Sequence, residues 1–173
     1  MPSPNRRIYT SRLLEFLELM GQELPRKIVL VAAGGTALTL LRVKRSTRDI
    51  DLTGPGEDIE LFRQTLKIVP HGVKVDTWPD GQIFSQFLPS DYLKRSRKVK
   101  QLQNIDLRAL HPVDIVVTKI GRLDDRDKDD IRDCVRAFKI RRSAVARRAS
   151  QVEYVGSMEN FEYQVQYVLR HFF

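Results

Sequence analysis

The sequence predicts an α/β fold of the α+β kind, in which a small mixed β-sheet is flanked by helices and followed by a helical C-terminal part. Two observations predict it. Short apolar or alternating segments alternate with helical patterns early in the chain, whereas helical patterns alone occupy the last part. The chain has 173 residues, of which 42% are apolar, and this is enough for one domain with a buried core.

Each early element follows from its own local pattern. Apolar spacing predicts the helices, β-branched or alternating runs predict the strands, and glycine or proline marks the breaks. Ser11 is the expected N-cap of the first helix, and Gly34-Gly35 is expected to end the first strand. The expected elements are a helix at 12–20, a strand at 27–33, a helix at 36–43, a strand at 49–53, a helix at 57–68, a strand at 73–78 and a turn at 79–81.

The later elements are mostly helical. His111-Pro112 is expected to open a helix, because proline is tolerated at the first helical position. No repeat, linker or boundary is visible, so we expect one domain over residues 1–173, with its core at about 27–138 and a helical extension at about 139–173. The expected elements are strands at 98–105 and 106–110 and helices at 112–123, 127–138, 141–151 and 158–171, with 88–97 unassigned.

Charge and cysteine content narrow the class of protein. The net charge of +8 and the pI near 9.8 favour polyanionic partners such as RNA, DNA or nucleotide phosphates, although a basic surface can also serve solubility alone. Cys134 is the only cysteine, which excludes an intramolecular disulfide and a cysteine-rich zinc site. No apolar run approaches the ~20 residues of a membrane span, and no secretory signal is visible. We therefore expect a cytoplasmic protein without a membrane partner.

Two aspartates separated by one apolar residue form the first candidate site. Successive side chains of a strand point to opposite faces, so Asp49 and Asp51 share one face while Ile50 and Leu52 face the core. Asp76, on a later strand, joins that face if the two strands pair. Carboxylates and phosphates are the hard oxygen ligands that Mg²⁺ prefers. The pattern therefore predicts a metal-dependent site for phosphoryl or nucleotidyl transfer, although Asp-x-Asp alone is more often an exposed strand edge.

The Gly34-Gly35-Thr36 segment supplies the other half of such a site. It follows a buried strand and opens a helix. Glycine lets the backbone approach a phosphate closely, and N–H groups at a helix start bind anions. A Gly-Gly pair alone is usually only a turn. The informative feature is the order of strand, Gly-Gly, helix, Asp-x-Asp strand, helix and single-Asp strand.

This combination resembles the nucleotidyltransferase superfamily typified by DNA polymerase beta. The pattern of that superfamily is Gly-Gly or Gly-Ser after an apolar residue, a short spacer, Asp-apolar-Asp or Glu, and a third acid on a later strand. Two stretches, Arg45-x-Thr47-x-Asp49-Ile50-Asp51 and the segment from Lys119 to Arg126-Asp127-x-x-Asp130, look like the small stand-alone branch that includes AbiEii-type toxins. The resemblance covers roughly residues 29–138.

The resemblance implies a role for each of these residues. Asp49 and Asp51 would bind two Mg²⁺ or Mn²⁺ ions. Asp76 would complete the metal site and activate the acceptor hydroxyl. The implied substrate is a nucleoside triphosphate, and the residues that would hold it are Gly34, Gly35, Thr36, Arg45, Thr47, Lys119 and Arg126.

Several residues have structural alternatives. Lys119 lies in an apolar helix, and its stem could instead carry the ammonium to solvent. Asp127 and Asp130 are spaced almost like a capping box, which favours a structural role for Asp127 and leaves Arg126 and Asp130 open between an ion-pair network and catalysis. Trp78 could stack a base, but an aromatic residue at a strand end usually packs in the core.

The resemblance also implies an activity and its partners. The reaction would be transfer of NMP from an NTP to an acceptor hydroxyl, with release of pyrophosphate. Two basic runs, Lys94–Lys100 and Arg136–Arg148, are expected to form one positive surface beside the acidic cleft and to guide RNA such as tRNA. A protein acceptor stays open, and the AbiEii-like branch implies a toxin with a partner antitoxin.

Two further expectations concern assembly and the rival function. The aromatic side chains of the last helix are expected to pack on the core or on the second subunit of a homodimer; they are Tyr163, Tyr167, Phe172 and Phe173. The alternative to an enzyme is a catalytically inactive module of the same fold that binds nucleic acid or a partner protein.

Overall fold

The computed structural model describes residues 6–173, so residues 1–5, which the expected domain includes, lie outside the described residues. The mixed sheet and its flanking helices confirm the predicted α+β class. The helices are α1 (Thr10–Glu23), α2 (Gly34–Leu40), α3 (Gly56–Ile68), α4 (Tyr92–Arg95), α5 (Pro112–Ile120), α6 (Asp125–Phe138), α7 (Arg142–Gln151) and α8 (Met158–His171). The strands are β1 (Ile8–Tyr9), β2 (Ile28–Ala32), β3 (Ser46–Thr47), β4 (Ile50–Gly54), β5 (Val75–Pro79), β6 (Gln82–Ile83), β7 (Gln86–Phe87), β8 (Arg97–Leu102), β9 (Ile105–Ala109) and β10 (Glu153–Tyr154).

Five strands form the central sheet, in the order β5-β4-β2-β9-β8. β4 runs parallel to β5 and antiparallel to β2, β2 runs parallel to β9, and β8 runs antiparallel to β9. β1 pairs with β3 in a separate ribbon, and β10, β7 and β6 form a small third sheet. β4 and β5, which carry Asp51 and Asp76, therefore lie side by side at one edge of the central sheet, and β8 forms the other edge.

The core lies between the central sheet and the helices. Ile50 and Leu52 are fully buried, as the alternation along β4 predicts. α1 and α3 contact each other and the sheet, whereas α2 contacts β2, β4 and α5. All residues of α5 are buried, because α2, α6, α7 and α8 pack around it. α5 is therefore the helix through which the C-terminal helices attach to the rest of the fold.

Strand pairing and a buried ion pair help to join the C-terminal part to the earlier elements. β10 pairs antiparallel with β7, and the buried Asp114 on α5 accepts hydrogen bonds from Arg148 on α7, at 2.6 Å from Nε and 3.1 Å from Nη2. Tyr167 and Phe172 pack against the core. Tyr163 on the same helix is instead 75% exposed, so contact with a second subunit stays a prediction there.

The predicted starts of the first two helices are wrong. α1 begins at Thr10 with Tyr9 at the N-cap position, so Ser11 lies inside the helix and does not cap it. α2 begins at Gly34, directly after Ala33, whose backbone is still extended. The Gly-Gly pair thus forms the first turn of α2 and not a separate break before it.

α6 begins at Asp125, two residues before its predicted start, because its capping box lies earlier in the chain than the sequence predicts. The Asp124 carboxylate accepts a hydrogen bond from Asp127 N at 2.8 Å, and the Asp127 carboxylate accepts one from Asp124 N at 3.2 Å. The capping box is therefore Asp124 with Asp127, and not Asp127 with Asp130. The predicted start of α5 is confirmed: Pro112 is its first residue, and the His111 ring accepts a hydrogen bond from Val113 N.

Five two-residue strands and one short helix have no counterpart in the sequence prediction. They are too short to show a periodicity, and the strands form only because a distant segment pairs with them. Among the helices of residues 6–173, none has both the length and the apolar character needed to cross a membrane. The unpredicted elements are β1, β3, β6, β7, β10 and α4.

Candidate active site

The parallel pairing of β4 and β5 brings the three predicted carboxylates to one place. Asp51 lies directly opposite Asp76 in the ladder, and Asp49 lines the same cleft. The side chains of Asp49 and Asp76 are 44% and 41% exposed, so both reach solvent. The cleft has a volume of about 460 Å³, and its other lining residues are Arg7, Gly35, Lys44, Ser46, Thr47, Arg48, Lys74, Trp78, Phe84, Lys119, Arg122, Arg126, Asp127 and Asp130.

Two threonine hydroxyls hold the Asp49–Asp51 segment in position. Thr36 Oγ1 donates to the carbonyl of Asp49 at 3.1 Å and accepts from Asp51 N at 2.9 Å. Thr47 Oγ1 donates to the same carbonyl of Asp49 at 2.9 Å. Thr36 is fully buried and outside the cleft lining, so its hydroxyl fixes the acidic strand and is not free for a triphosphate. This corrects the predicted nucleotide contact for Thr36.

Both the backbone conformation and the neighbouring atoms at position 34 require a glycine. Its φ of +53° is in the left-handed region that favours glycine, and a Cβ there would lie 3.0 Å from Asp51 Oδ2. Gly34 therefore lets the Asp51 carboxylate lie directly against the start of α2. Gly35, the next residue, lines the cleft.

Burial and two neighbouring carboxylates disfavour the ionised form of Asp51. Burial, together with the like charges of Asp76 and Asp49, raises the pKa of Asp51 to about 7. The positive charges of Lys119 and Arg122 oppose this increase without cancelling it.

The carboxylates fit a divalent cation by chemistry, but they are not closed around one. Hard oxygen donors on neighbouring strands are the ligands that Mg²⁺ and Mn²⁺ take. Yet within residues 6–173 no group of three or more Asp, Glu, His or Cys side chains is close enough to hold an ion. A cation of the chain itself, the ammonium of Lys74, lies 3.8 Å from Asp49 Oδ2 and 3.7 Å from Asp76 Oδ2.

Lys119 does not extend to solvent, which corrects the structural alternative for this residue. Its side chain is 2% exposed, and its ammonium lies 3.1 Å from Asp127 Oδ1 and 2.9 Å from Asp130 Oδ2. Lys44 contacts the other oxygen of Asp130 at 3.0 Å. An ammonium has three N–H donors, so these two carboxylates leave Lys119 one donor for the cleft that it lines.

Asp127 anchors this side of the cleft, as the structural reading favours. Arg122 donates two hydrogen bonds of 2.7 Å to its two oxygens. Burial opposes ionisation of Asp127, but the hydrogen bonds and charges of Arg122 and Lys119 outweigh it and lower its pKa to about 2. Asp127 is thus a permanent anion that orients two cations toward the cleft.

A pair of aromatic side chains forms another wall. The ring of Trp78 lies edge-on to that of Phe84, with 5.0 Å between centroids, and the guanidinium of Arg122 lies 4.5 Å over the Phe84 ring. Phe84 is in the turn between β6 and β7, and its tip is 3.4 Å from the position of a Cβ on Gly34. Both rings are half-buried and line the cleft.

A comparison with protein families matches residues 11–171 to the family described as "Nucleotidyltransferase of unknown function (DUF6036)". The chain belongs to this nucleotidyltransferase family. Searches of curated proteins and of solved structures gave no match. Membership agrees with the resemblance to the nucleotidyltransferase superfamily, and it extends over the helical C-terminal part as well as the sheet.

Three of the predicted nucleotide contacts of this nucleotidyltransferase are outside the cleft lining: Gly34, Thr36 and Arg45. Arg45 is exposed and outside the cleft lining, whereas its neighbours Lys44 and Arg48 are inside it. The connection between α2 and β3 turns sharply, with Arg42 at a φ of +63°, so spacing alone does not show which side chain turns inward. The other predicted contacts that line the cleft are Gly35, Thr47, Lys119 and Arg126.

The cleft of this nucleotidyltransferase also includes residues that sequence reasoning missed. Lys74 and Phe84 carry no local signal, and Arg7 arrives only because β1 pairs with β3. Lys44 and Arg48 flank the acidic motif, so their position next to it is the one signal that could have found them. The Asp-x-Asp motif was visible in the sequence, whereas most of the cationic residues of the cleft come together only through the fold.

The two basic runs meet each other but not the cleft. Arg97 lies 4.9 Å over the ring of Phe138, which brings the runs together. β8, which carries the first run, is however at the sheet edge opposite β5, and neither run contributes a residue to the cleft lining. Arg148 of the second run is internal and bound to Asp114. The expectation of a positive surface beside the acidic cleft is therefore wrong for these residues.

A larger cleft, of about 880 Å³, lies between α7 and α8. Its charged lining residues, Glu159, Glu162, Arg170 and His171, all belong to α8 and do not converge from several elements. The carboxylate cleft is smaller but gathers charged groups from β4, β5, α5 and α6. We therefore take the carboxylate cleft as the candidate active site of this nucleotidyltransferase.

The raised pKa of Asp51 makes a prediction about metal-free stability. Folding raises its pKa from 3.8 to about 7, so the folded state loses stability as pH rises through that range and is constant above it. In EDTA, the unfolding free energy of the wild type should fall between about pH 5 and pH 8 relative to that of Asp51→Asn, which has no charge to accommodate. Denaturant titrations at the two pH values measure this, and equal pH slopes for the two proteins would contradict it.

Proposed function

We propose that this protein is a metal-dependent nucleotidyltransferase that transfers NMP from an NTP to an acceptor hydroxyl and releases pyrophosphate. The observation that carries the proposal is the alignment of Asp51 with Asp76 across β4 and β5, with Asp49 in the same cleft. Family membership supports the general class of reaction. The metal, the acceptor and the residue roles are parts of the proposal.

The charge of the cleft suits a triphosphate. Its lining contains seven Lys or Arg side chains and five Asp side chains, and 7 − 5 leaves a balance of +2. Lys44, Lys119 and Arg122 are held by Asp127 and Asp130. Among residues 6–173, Arg7, Arg48 and Arg126 line the cleft, are exposed and have no acidic partner, so they are the cations that an incoming phosphate chain would meet.

The proposed site binds two Mg²⁺ or Mn²⁺ ions, which the carboxylates of Asp49, Asp51 and Asp76 would hold. When bound, such ions neutralise the charge of the phosphates and orient them for in-line displacement. The acceptor oxygen would attack the α-phosphorus, the bond from that phosphorus to the bridging oxygen of pyrophosphate would break, and Asp76 would take the hydroxyl proton. Asp76 suits this role because its carboxylate is partly exposed and an acceptor can reach it.

RNA, including tRNA, is the acceptor that the net charge of +8 favours. Neither basic run contributes a residue to the cleft lining, so a protein acceptor is the second candidate.

The AbiEii-like motifs lead us to propose further that the activity is toxic and controlled by a partner antitoxin. Growth arrest on expression of the wild type, and not of Asp51→Asn, would support the toxin role; unimpaired growth with both would contradict it.

The direct test is to incubate the protein with each NTP labelled at the α-phosphate, with Mg²⁺ or Mn²⁺, and with total RNA or an RNA-free protein extract. Label should pass to one acceptor class in a metal-dependent way, and Asp51→Asn should abolish the transfer. Nucleotide or RNA binding without any label transfer would instead favour the inactive module of the same fold.

Trp78 makes nucleotide binding visible without any reaction. It is the only tryptophan in the chain and lines the cleft. We expect its fluorescence to change in a saturable way on addition of an NTP, because the nucleotide alters the polarity around the indole ring. Trp78→Phe should lose the signal but keep NTP binding in a calorimeter. NTP binding with unchanged Trp78 fluorescence would show that the nucleotide lies elsewhere.

A further inference from the structure

Lys74 is the cation nearest to two of the three carboxylates. It immediately precedes β5, and its backbone carbonyl accepts a hydrogen bond from Ile50 N at 3.0 Å, which fixes its main chain beside β4. From there its ammonium reaches to 3.8 Å from Asp49 Oδ2 and 3.7 Å from Asp76 Oδ2. Within residues 6–173, no other Lys or Arg forms an ion pair with either carboxylate. The other cations of the cleft that form ion pairs do so with Asp127, Asp130 or Asp124.

The contact is also easy to break. The Lys74 side chain is 68% exposed, and ion pairs exposed to water contribute little free energy because water screens them. A lysine stem is long and flexible, so the ammonium can leave without a change of backbone. A divalent cation carries twice the charge and approaches carboxylate oxygens to about 2.1 Å, so it is the stronger competitor for the same two groups.

We propose that Lys74 is a built-in counter-ion that lies between Asp49 and Asp76 in the metal-free protein and is displaced when a divalent cation binds. This rests on the proposed function, because the cation is the one that the proposed reaction needs. Lys74 then weakens the binding of metal alone.

The test is Lys74→Met, which keeps the stem and removes the charge. Mn²⁺ affinity of the nucleotide-free protein, measured by the loss of the free-Mn²⁺ electron paramagnetic resonance signal, should rise about two- to thirty-fold, the range expected when two exposed ion pairs no longer have to be broken. In EDTA the melting temperature of Lys74→Met should be lower than that of the wild type, because two carboxylates lose their counter-ion. Added Mn²⁺ should then raise it by more than it raises that of the wild type.

Lys67→Met is the matched control, since Lys67 is exposed near the end of α3 and outside the cleft lining, and the change in net charge is the same. Lys74→Gln is a second variant that keeps the site polar, and it should behave like Lys74→Met. If Mn²⁺ binds both Lys74 variants no more tightly than it binds Lys67→Met, the role of Lys74 is refuted while the metal site stands. If Mn²⁺ binds neither the wild type nor the variants, even with an NTP present, both the role of Lys74 and the proposed function are overturned.

Discussion

Asp76→Asn is expected to reduce transfer of NMP by about 10²- to 10⁴-fold, the range that a positioned general base supplies. Asparagine keeps the shape of the side chain but cannot take the proton of the acceptor hydroxyl. Asp76 lies at an exposed part of the cleft, so the fold and most of the NTP affinity should remain. The transfer rate with labelled NTP and the NTP affinity from Trp78 fluorescence, measured on the same preparation, separate the two effects.

Asp106→Asn is the matched control for this variant. Asp106 is also on a strand of the central sheet and also pairs with a cation, Arg108, but it is outside the cleft lining. Its rate should stay close to that of the wild type. A near wild-type rate for Asp76→Asn would mean that Asp76 is not the third acid and that the base lies on another element.

Asp114→Ala is expected to lower the free energy of unfolding by about 3–5 kcal/mol, the usual effect of removing one partner from a buried ion pair. Asp114 has no exposed surface, and it binds the Arg148 guanidinium through two hydrogen bonds. Arg95 lies 3.6 Å from the same carboxylate. Alanine would leave the buried Arg148 charge with only partly exposed partners. Denaturant unfolding followed by circular dichroism gives the value.

Asp91→Ala removes another carboxylate that contacts Arg148, at 2.9 Å, but this one is 52% exposed. It should cost less than about 1 kcal/mol, because water screens a surface ion pair. The double variant Asp114→Leu with Arg148→Met should recover much of the loss, since the buried Arg148 charge is removed together with its partner. Equal effects of Asp114→Ala and Asp91→Ala would show that burial of the pair does not set its contribution.

The sequence by itself determined the features that depend on local periodicity. The alternation along β4 puts Ile50 and Leu52 in the core and Asp51 on the other side, whatever the strand pairs with. Asp49, the first residue of the predicted strand, immediately precedes β4 and lines the same cleft as Asp51. The longer helices and strands follow from apolar spacing in the same way, and their order was enough to indicate the fold class. The Gly-Gly and Asp-x-Asp motifs carried the resemblance to the nucleotidyltransferase superfamily. The Gly34-Gly35 pair was recognisable because glycine is the residue that tolerates the left-handed backbone found at Gly34.

Only the tertiary structure decided which partners surround those acids. Asp76 joins them because β5 pairs in parallel with β4, and Lys74 reaches them from the residue before that strand. The inward turn of Lys44 in place of Arg45, and the burial of Lys119 against Asp127, depend on how α2, α5 and α6 pack. Charges attract or repel according to distance in space, and neighbours in space here come from segments far apart in the chain. Local patterns therefore located the carboxylates, whereas packing alone determined which cations lie next to them. Packing also put β8, with the Lys94–Lys100 run, at the sheet edge far from the cleft.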